Sequence, residues 1–441
     1  MVVQHNLTAM NANRMLGITT NAQSKATEKL SSGYKINRAA DDAAGLSISE
    51  KMRKQIRGLD KASSNAEDGV SAVQTAEGAL TEVHSMLQRM NELAVQASNG
   101  TNSSTDRQAI QDEISQLTTE IDRVAETTKF NESYLLKGDN AKTKNVYMEG
   151  HDAGLKGTLT DEATSATFTV KGGDLDAGKS VTIGGKEYTI GASVDEGKKM
   201  LGATYDGSVK AKINGVEYTL VANGNEDTAA NKLEKATIEA MIKGGVTVEV
   251  GGKSATVLTD GNTDGIDDND SSVITAAKAV ELMTTELTAA NNIGTVDKAA
   301  TVAAGAAYDA TNGVTFTITK GYATVADKLS FNLHVGSDAD MTNKITVEIE
   351  TMSAKNLGIK GLNVADETGL GATYAVDAIS DAIAKVSSQR SALGAVQNRL
   401  EHTIDNLDNI VENTTTAESR IRDTDMAEEM VEYSKNNILA Q

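Results

Sequence analysis

The residues most able to do chemistry lie in one acidic run, Asp260-Gly261-Asn262-Thr263-Asp264-Gly265. Asp260, Asn262 and Asp264 match the first, third and fifth places of an EF-hand calcium loop, and Gly265 matches the sixth. The second half of that loop does not fit, because its twelfth place holds Ser271 instead of a glutamate. A solvated acidic turn is the favoured interpretation, and a weak calcium site is the alternative.

Other catalytic and cofactor motifs are missing from the sequence. It has no cysteine, which excludes disulfides, thiolate metal sites and cysteine nucleophiles, and its 5 histidines lack the spacing of a zinc hydrolase. Gly252-Lys253-Ser254 imitates the end of a phosphate-binding P-loop, but the glycine needed five residues earlier is Thr247. The sequence therefore predicts no enzyme, no cofactor and no firm metal site.

The net charge of the chain limits the classes of partner that it can bind. The chain has 62 acidic and 42 basic residues, and the resulting net charge of −20 repels the phosphate backbone of nucleic acids. No run approaches the roughly 18 apolar residues that cross a bilayer. The N-terminus has neither the basic start nor the apolar block of a cleaved signal peptide. We expect no nucleic acid and no membrane as partners, and export, if any, by another route.

Helices are predicted near both ends of the chain, because apolar residues recur there in steps of three and four. One stripe includes Leu7, Met10 and Leu30, and a longer one runs from Ile48 to Ala97. A helix of the second length would extend on the order of 75 Å. Such a helix needs a partner helix along its whole length.

Two further helices could supply that partner. One follows Asn99-Gly100, with Thr105 and Gln108 as its predicted capping box, and the short connection implies an antiparallel hairpin. The other has its stripe from Ile379 to Ile410 near the C-terminus. The economical solution packs this C-terminal helix against the N-terminal hairpin. The stripe of Met52, Ile56, Leu59, Val73, Leu80 and Leu87 is then expected to face that of Leu393, Val396, Leu400 and Leu407.

The middle of the chain, between about Asp139 and Met352, consists of short alternating runs bounded by Gly, Asn and Asp. Three hairpins are predicted around Gly184-Gly185, Asn214-Gly215 and Gly251-Gly252, and their common design suggests a degenerate repeat. A fourth hairpin brackets a polar loop that begins at Gly336. The predicted fold is α+β and multidomain: a long antiparallel coiled-coil helical stem from both chain termini, with a central β-rich insert.

Long sequence motifs occur on both sides of this insert. On the N-terminal side they are LSSGYKINRAADDAAGLSI over 30–48, AEDGVSAVQTAEGAL over 66–80 and LQRMNELAVQASNGT over 87–101. On the C-terminal side they are NLGIKGLNV over 356–364, LGAVQNRL over 393–400 and AESRIRDTDMA over 417–427. These motifs resemble those of bacterial flagellins, the subunits of the flagellar filament, and several long motifs in the right order make coincidence a poor explanation.

The resemblance implies an extracellular homopolymer in which terminal helices form inner tubes and the β insert faces outward. It implies other subunits, the flagellar export machinery, an export chaperone and the filament cap as partners, and export without a cleaved signal. Members usually continue some two dozen residues beyond the segment matching 436–441, so the helix from Leu7 to Leu30 is expected to lack its intramolecular partner. The assembly residues implied are Leu7, Met10, Leu30, Arg38, Asp41 and Asp42, with helix capping as the alternative role of the charged three.

The resemblance also implies a recognition role. The family's site for the flagellin-sensing Toll-like receptor falls on Arg89, Leu93 and Glu113, where we expect an exposed Leu93 as the apolar anchor. A simple helix flank is the alternative interpretation of Leu93. A surface adhesin or recognition protein, displayed through the insert, is the alternative function.

The expected organisation follows the same division. An inner-tube helix and connector span 1–45, the N-terminal half of the helical core spans 46–138, and the variable insert of one or two subdomains spans 139–328. A core β-hairpin over 329–352, the C-terminal half of the core over 353–412 and a connector with a truncated inner-tube helix over 413–441 complete it.

Overall fold

A computed structural model describes residues 6–202, 207–294, 297–366 and 368–441, so His5 lies outside the described residues. The helices are α1 (Leu7–Ser32), α2 (Ala43–Ala97), α3 (Ser104–Thr127), α4 (Val194–Met200), α5 (Lys235–Met241), α6 (Ala276–Ala290), α7 (Ala354–Leu357), α8 (Leu370–Arg422) and α9 (Met426–Ala440). Long helices thus lie near both ends of the chain, as the apolar stripes predict.

The strands fill the central region, as predicted. They are β1 (Lys129–Phe130), β2 (Ser133–Tyr134), β3 (Asp139–Tyr147), β4 (Thr158–Asp161), β5 (Ser165–Val170), β6 (Ser180–Ile183), β7 (Lys186–Ile190), β8 (Lys210–Ile213), β9 (Val216–Val221), β10 (Lys232–Glu234), β11 (Thr247–Val250), β12 (Lys253–Thr256), β13 (Val273–Ile274), β14 (Thr301–Ala304), β15 (Val314–Thr319), β16 (Tyr322–Asp327), β17 (Leu329–His334) and β18 (Lys344–Ile349). The larger sheets have the orders β10-β9-β8-β11-β12, β14-β15-β5-β4 and β13-β7-β6, and the pairs β1-β2, β16-β3 and β17-β18 stand apart.

The chain forms two compact units, and each is made of separate stretches of sequence. The first contains residues 1–77, 330–348 and 391–441, and the second contains 78–329 and 349–390. In the first unit the core lies between α2, α8 and the β17-β18 pair. Leu59 and Ala62 pack with Leu407, which confirms that part of the predicted contact between the two stripes.

A glycine on α2 lets the β17-β18 pair approach the helix. A Cβ built at Gly69 would lie 2.2 Å from Leu333 Cδ1, closer than side-chain atoms can come. Beside it, Ala66, Ile345 and Leu400 form a buried cluster that joins the strand pair to both long helices. Any side chain at position 69 would therefore displace Leu333 or the helix.

Helix α1 has an intramolecular partner, contrary to the expectation that it lacks one. It packs against α9, and the ammonium of Lys29 lies 3.3 Å from the carboxylate of Glu429. Beyond α1 the backbone amide of Thr424 donates to the carbonyl of Gly33 over 3.1 Å, and the guanidinium of Arg422 stacks 4.7 Å from the ring of Tyr34. Its partner is the fifteen-residue α9, which lies in the segment predicted as a truncated inner-tube helix, and the expectation did not foresee that this segment pairs with α1.

In the second unit α2 ends at Ala97 and α3 begins two residues earlier than its predicted capping box. The hydroxyl of Ser103 accepts a hydrogen bond from the amide of Asp106, and the carboxylate of Asp106 accepts one from the amide of Ser103. The predicted box at Thr105 and Gln108 is therefore wrong. Ser103 is the residue that still has extended backbone, with a ψ of 165°, and an N-cap needs that conformation.

The three predicted two-residue turns are confirmed. Both turn residues have positive φ in each case, for example 47° at Asn214 and 83° at Gly215, which matches the twist of the flanking strands. Two of the hairpins, β8-β9 and β11-β12, lie in the five-stranded sheet, whereas β6-β7 belongs to the three-stranded one. The turns therefore share their geometry, but the hairpins lie in different sheets.

Helices α4, α5 and α6 lie in the region that the sequence predicts as strands and turns, and that prediction is wrong there. Helix α6 begins after Thr275, whose hydroxyl accepts from the amide of Lys278. It buries Met283 and Leu287 in a cluster with Phe168 and Phe316. The buried residues of α6 from Ala279 to Ala290 are spaced three and four apart, which is the period of a helix. A second buried cluster in this region lies under the five-stranded sheet.

Replacing Leu400 by alanine tests the core of the first unit. Leu400 is fully buried, so the lost contacts and the cavity should lower the free energy of unfolding by about 2–5 kcal/mol. Urea unfolding followed by circular dichroism measures the change. Ile410→Ala is the matched control on the same helix, because its side chain is 40% exposed. Equal losses in the two variants would contradict the core described here.

Replacing Ser103 by alanine tests the capping box of α3. Loss of the cap should destabilise the helix by about 1 kcal/mol, seen as faster amide exchange of residues 104–110. Thr105→Ala, at the position that the sequence favoured, should have a smaller effect because Thr105 does not bond the helix amides.

Hydrogen bonds from Ser103 lower the pKa of Asp106. The contribution of the box should therefore be present above the ordinary aspartate range and be lost as pH falls through the lowered pKa.

Candidate functional site

The two terminal helices expose an unusual number of large apolar side chains. Leu7 is 75% exposed and Met10 is 67% exposed, whereas Leu30 is half-buried near α9. We call the exposed set the terminal apolar face. Its members are Leu7, Met10, Met15, Leu16 and Ile18 on α1, with Met426, Met430, Val431, Ile438 and Leu439 on α9.

The charged connector between α1 and α2 holds its own backbone. The carboxylate of Asp41 accepts hydrogen bonds from the amides of Arg38 and Asn37 at 2.9 and 3.2 Å, and the bond from Arg38 contributes most to lowering the pKa of Asp41. Asp42 accepts from the amide of Gly45 at 2.9 Å, in the first turn of α2. Turn formation and helix capping are thus local roles of the two aspartates.

Arg38 differs from its two acidic neighbours because its side chain extends into solvent. Its Nε lies 2.9 Å from Oε1 of Glu28 on α1, and the Arg38 side chain is 73% exposed. An exposed ion pair of this kind contributes little to stability, about 0–1 kcal/mol. The guanidinium is therefore available to a further partner.

Arg89 and Glu113, two of the three predicted receptor residues, come together across the α2–α3 hairpin. Arg89 Nε donates to Glu113 over 2.9 Å, and Arg89 Nη1 lies 3.2 Å from Glu92. The hydrogen bond that Arg89 donates to Glu113 is the main cause that raises the pKa of Arg89. The side chains of Arg89 and Glu113 are about half exposed, at 50% and 45%, so both can meet a partner.

Leu93, the third predicted receptor residue, is not exposed. Its side chain is only 2% exposed, and the expectation of an exposed anchor is wrong. Leu93 lies three residues after Met90 and four before Ala97, both fully buried, so it belongs to the same core-facing side of α2. The simple explanation, a residue of the helix core, applies.

Val95 is an exposed apolar residue that the sequence analysis missed. It is 53% exposed and follows Glu92 by three residues on the solvent side of α2. We call Arg89, Glu92, Val95 and Glu113 the hairpin surface. The signal was present in the sequence, because Val95 falls outside the buried steps Met90, Ala94 and Ala97.

The acidic run after β12 is a self-bonded loop. The carboxylate of Asp260 accepts from the amides of Asp264 and Gly265, and Asn262 Oδ1 also accepts from the amide of Asp264. Asp264 in turn accepts from the amide of Ile266. No group of three or more His, Asp or Glu side chains suited to a metal ion occurs in the described part of the chain. The arrangement favours the acidic turn over a calcium site.

A cavity of about 300 Å³ lies in the central region, and Glu196 and Lys253 are among its lining residues. Its lining includes Tyr308, whose hydroxyl donates to Asp176 over 2.9 Å and accepts from the amides of Gly173 and Leu175. Burial and the bond to Asp176 raise the pKa of Tyr308, which keeps the phenol protonated. The hydroxyl of Tyr308 therefore links its own loop to the segment that contains Gly173 and Asp176.

Across residues 6–202, 207–294, 297–366 and 368–441, no helix has the length and apolarity to cross a membrane.

Comparison with known proteins places both ends of the chain in one family. Residues 3–141 match the bacterial flagellin N-terminal helical region, and residues 376–441 match the C-terminal helical region. A flagellin of Clostridium tyrobutyricum is 39% identical, with all of this chain and 96% of that protein aligned. A flagellin of Bacillus subtilis is 34% identical, with all of this chain and 93% of that protein aligned.

A solved structure of FliC from Burkholderia pseudomallei is 21% identical and covers 75% of this chain and 99% of its own, with a TM-score of 0.26. The full-length relatives carry the assignment, because their alignments cover the whole chain at an overall identity above 30%. The chain belongs to the bacterial flagellin family, whose members are structural subunits of the extracellular flagellar filament.

Proposed function

We propose that this filament subunit assembles through the terminal apolar face. The observation that carries the proposal is the exposure of ten large apolar side chains on α1 and α9. Exposed apolar patches of this kind mark surfaces that another protein covers. Stacked copies of the same chain can cover them, because a helical polymer repeats one heterologous contact without end.

The connector is proposed to contribute one charged contact to assembly. Arg38 extends from it into solvent, and Asp41 and Asp42 shape the turn that presents the guanidinium. Leu30 is half-buried and is proposed as part of the assembly surface. The role of the subunit is mechanical and not catalytic. Export without a cleaved signal peptide belongs to the same proposal, with the flagellar export machinery, an export chaperone and the filament cap as partners.

The hairpin surface is proposed as the contact site for the flagellin-sensing Toll-like receptor. Arg89 offers a guanidinium already oriented by Glu92 and Glu113, and Val95 offers apolar area beside it. Arginine is a frequent hot spot of protein interfaces, whereas Leu93 is only 2% exposed and offers no surface to a partner. The insert, residues 139–328, is proposed as the displayed and variable part of the subunit.

Replacing Met10 by serine tests the assembly role of the terminal apolar face. Burying a methionine side chain stabilises a contact by about 1.5–3 kcal/mol, so the concentration needed for growth on sheared filament seeds should rise about tenfold or more. Electron microscopy and sedimentation measure growth. Val216→Ser is the control, because Val216 is a comparably exposed apolar residue, 45%, in the central region. Equal inhibition by both changes, or by neither, would refute the assignment.

Replacing Arg89 by alanine tests the receptor role. Truncation of an interface arginine of this kind should weaken receptor binding by about 2 kcal/mol, close to thirtyfold. Surface plasmon resonance with the receptor ectodomain measures the affinity. Arg123→Ala is the matched control, because Arg123 is also an exposed arginine paired with a glutamate, Glu120, on the same hairpin. Equal affinities of the two variants would remove Arg89 from the site. Leu93→Ala is unsuitable, because it would act through the core.

A further inference from the structure

The exposed methionines of this chain are concentrated on α1 and α9. The sequence has 14 methionines and no cysteine. Among the residues that the structure describes, five methionines count as exposed. Four of them, Met10, Met15, Met426 and Met430, belong to the terminal apolar face, and the fifth, Met341, lies in the loop between β17 and β18. The exposed thioethers are therefore gathered on the surface proposed for assembly.

The exposure of these four side chains contrasts with that of other methionines. Met10 is 67% exposed and Met15 is 55% exposed on α1. Met426 and Met430 are four residues apart and share one side of α9, and both are about half exposed. Met90 and Met283, in contrast, are fully buried in the second unit. A reagent dissolved in water therefore has access to the first group and not to the second.

An exposed thioether is open to oxidation by peroxides. A lone pair of the sulfur attacks one oxygen of hydrogen peroxide, so that the S–O bond forms as the O–O bond breaks, and the second oxygen leaves as water after proton transfer. The sulfur loses two electrons and the peroxide gains them. The product, methionine sulfoxide, is polar and chiral. No cysteine thiol of the chain competes for the oxidant.

A sulfoxide removes the property that makes these side chains useful in assembly. Burial of a methionine stabilises a contact because apolar area leaves water. The sulfoxide oxygen accepts hydrogen bonds from water, and burying it without a partner costs free energy. In a polymer each subunit repeats the same contact, so the cost recurs at every subunit.

We propose that Met10, Met15, Met426 and Met430 form an oxidation switch for assembly, in which peroxides convert the four side chains of the free subunit to sulfoxides and block polymerisation. A subunit already in the filament is protected, because its terminal apolar face is covered. This inference rests on the assembly role proposed above for that face. Methionine sulfoxide reductases convert the sulfoxides back to methionine, so the switch is reversible.

Peptide mass spectrometry after mild peroxide treatment tests the accessibility of the sites. In the monomer, sulfoxide should form at the four sites and at Met341, whereas Met90 and Met283 should stay reduced. In the filament the four sites should react at least about tenfold more slowly, since cover worth about 1.4 kcal/mol makes uncovering a one-in-ten event. Equal rates in monomer and filament would refute the assembly role of the face, and this inference with it.

Growth on sheared filament seeds tests the switch itself. Monomer that carries the four sulfoxides should need at least about a tenfold higher concentration for growth than untreated monomer. Its circular dichroism should be unchanged, and treatment with methionine sulfoxide reductases should restore growth. If the sites are protected in filaments but oxidised monomer grows as well as untreated monomer, the switch is refuted and the assembly role stands. Loss of helical signal would also refute the switch, because oxidation would then act on the fold.

Replacing the four methionines by leucine separates the switch from other effects of peroxide. Leucine keeps a similar apolar volume and has no sulfur, so the fourfold variant should grow on seeds and keep its growth after peroxide treatment. Met341→Leu is the matched control, because Met341 is 72% exposed but lies outside the face, and this variant should stay sensitive. A fourfold variant that loses growth after peroxide, or a resistant Met341→Leu, would show that the four methionines are not the switch. The reductase treatment decides the question on the natural chain if the leucine side chains do not fit the contact.

Discussion

The structure depends on one constraint: the apolar stripes of α2 and α8 are too long to be covered by anything except another long element. Leu59, Ala62 and Ala66 on α2 find their cover in Leu400 and Leu407, more than three hundred residues later in the chain. The contact therefore closes the whole central region as a loop. Because loop closure entropy grows only slowly with length, an insert of variable size is tolerated between the two helices at modest cost.

Apolar surface is also left uncovered near both ends of the chain, and it is the surface proposed for assembly. Helices α1 and α9 cover each other only in part, since burial concentrates at Ala26 and Asn436 while ten large apolar side chains stay exposed. A free monomer gains nothing from these side chains, whereas a polymer can bury them. Isolated helices are marginal in water and derive most of their stability from packing, so polymerisation should also stabilise α1 and α9 themselves.

Periodicity and turn chemistry were enough to predict the long helices and three hairpins, because each is encoded by neighbours in sequence. The errors arose where tertiary context decides. The cap of α3 depends on which of Ser103 and Thr105 keeps an extended backbone, and α6 was hidden among Thr- and Gly-rich turns. Leu93 shows a further limit: a motif match transfers the identity of a residue but not its exposure. The wide apolar side of α2 buries Leu93 and leaves Val95 outside.

The ion pairs of this molecule are of two kinds, exposed and shielded from water. The pairs Arg89–Glu113 and Arg38–Glu28 are exposed, and water screens such pairs so well that they add little to stability. Their exposure suits contact with another protein better than stabilisation of the fold. Lys320 is the reverse case, because its side chain is only 5% exposed and its ammonium lies 2.5 Å from Asp161 and 3.6 Å from Glu149. Removing one partner of a shielded charge is costly, since the charge is then left uncompensated away from water. The net charge of −20 leaves carboxylates in excess, so this shielded cation is met by partners that themselves stay partly in water, with 34% of the Asp161 side chain and 51% of the Glu149 side chain exposed.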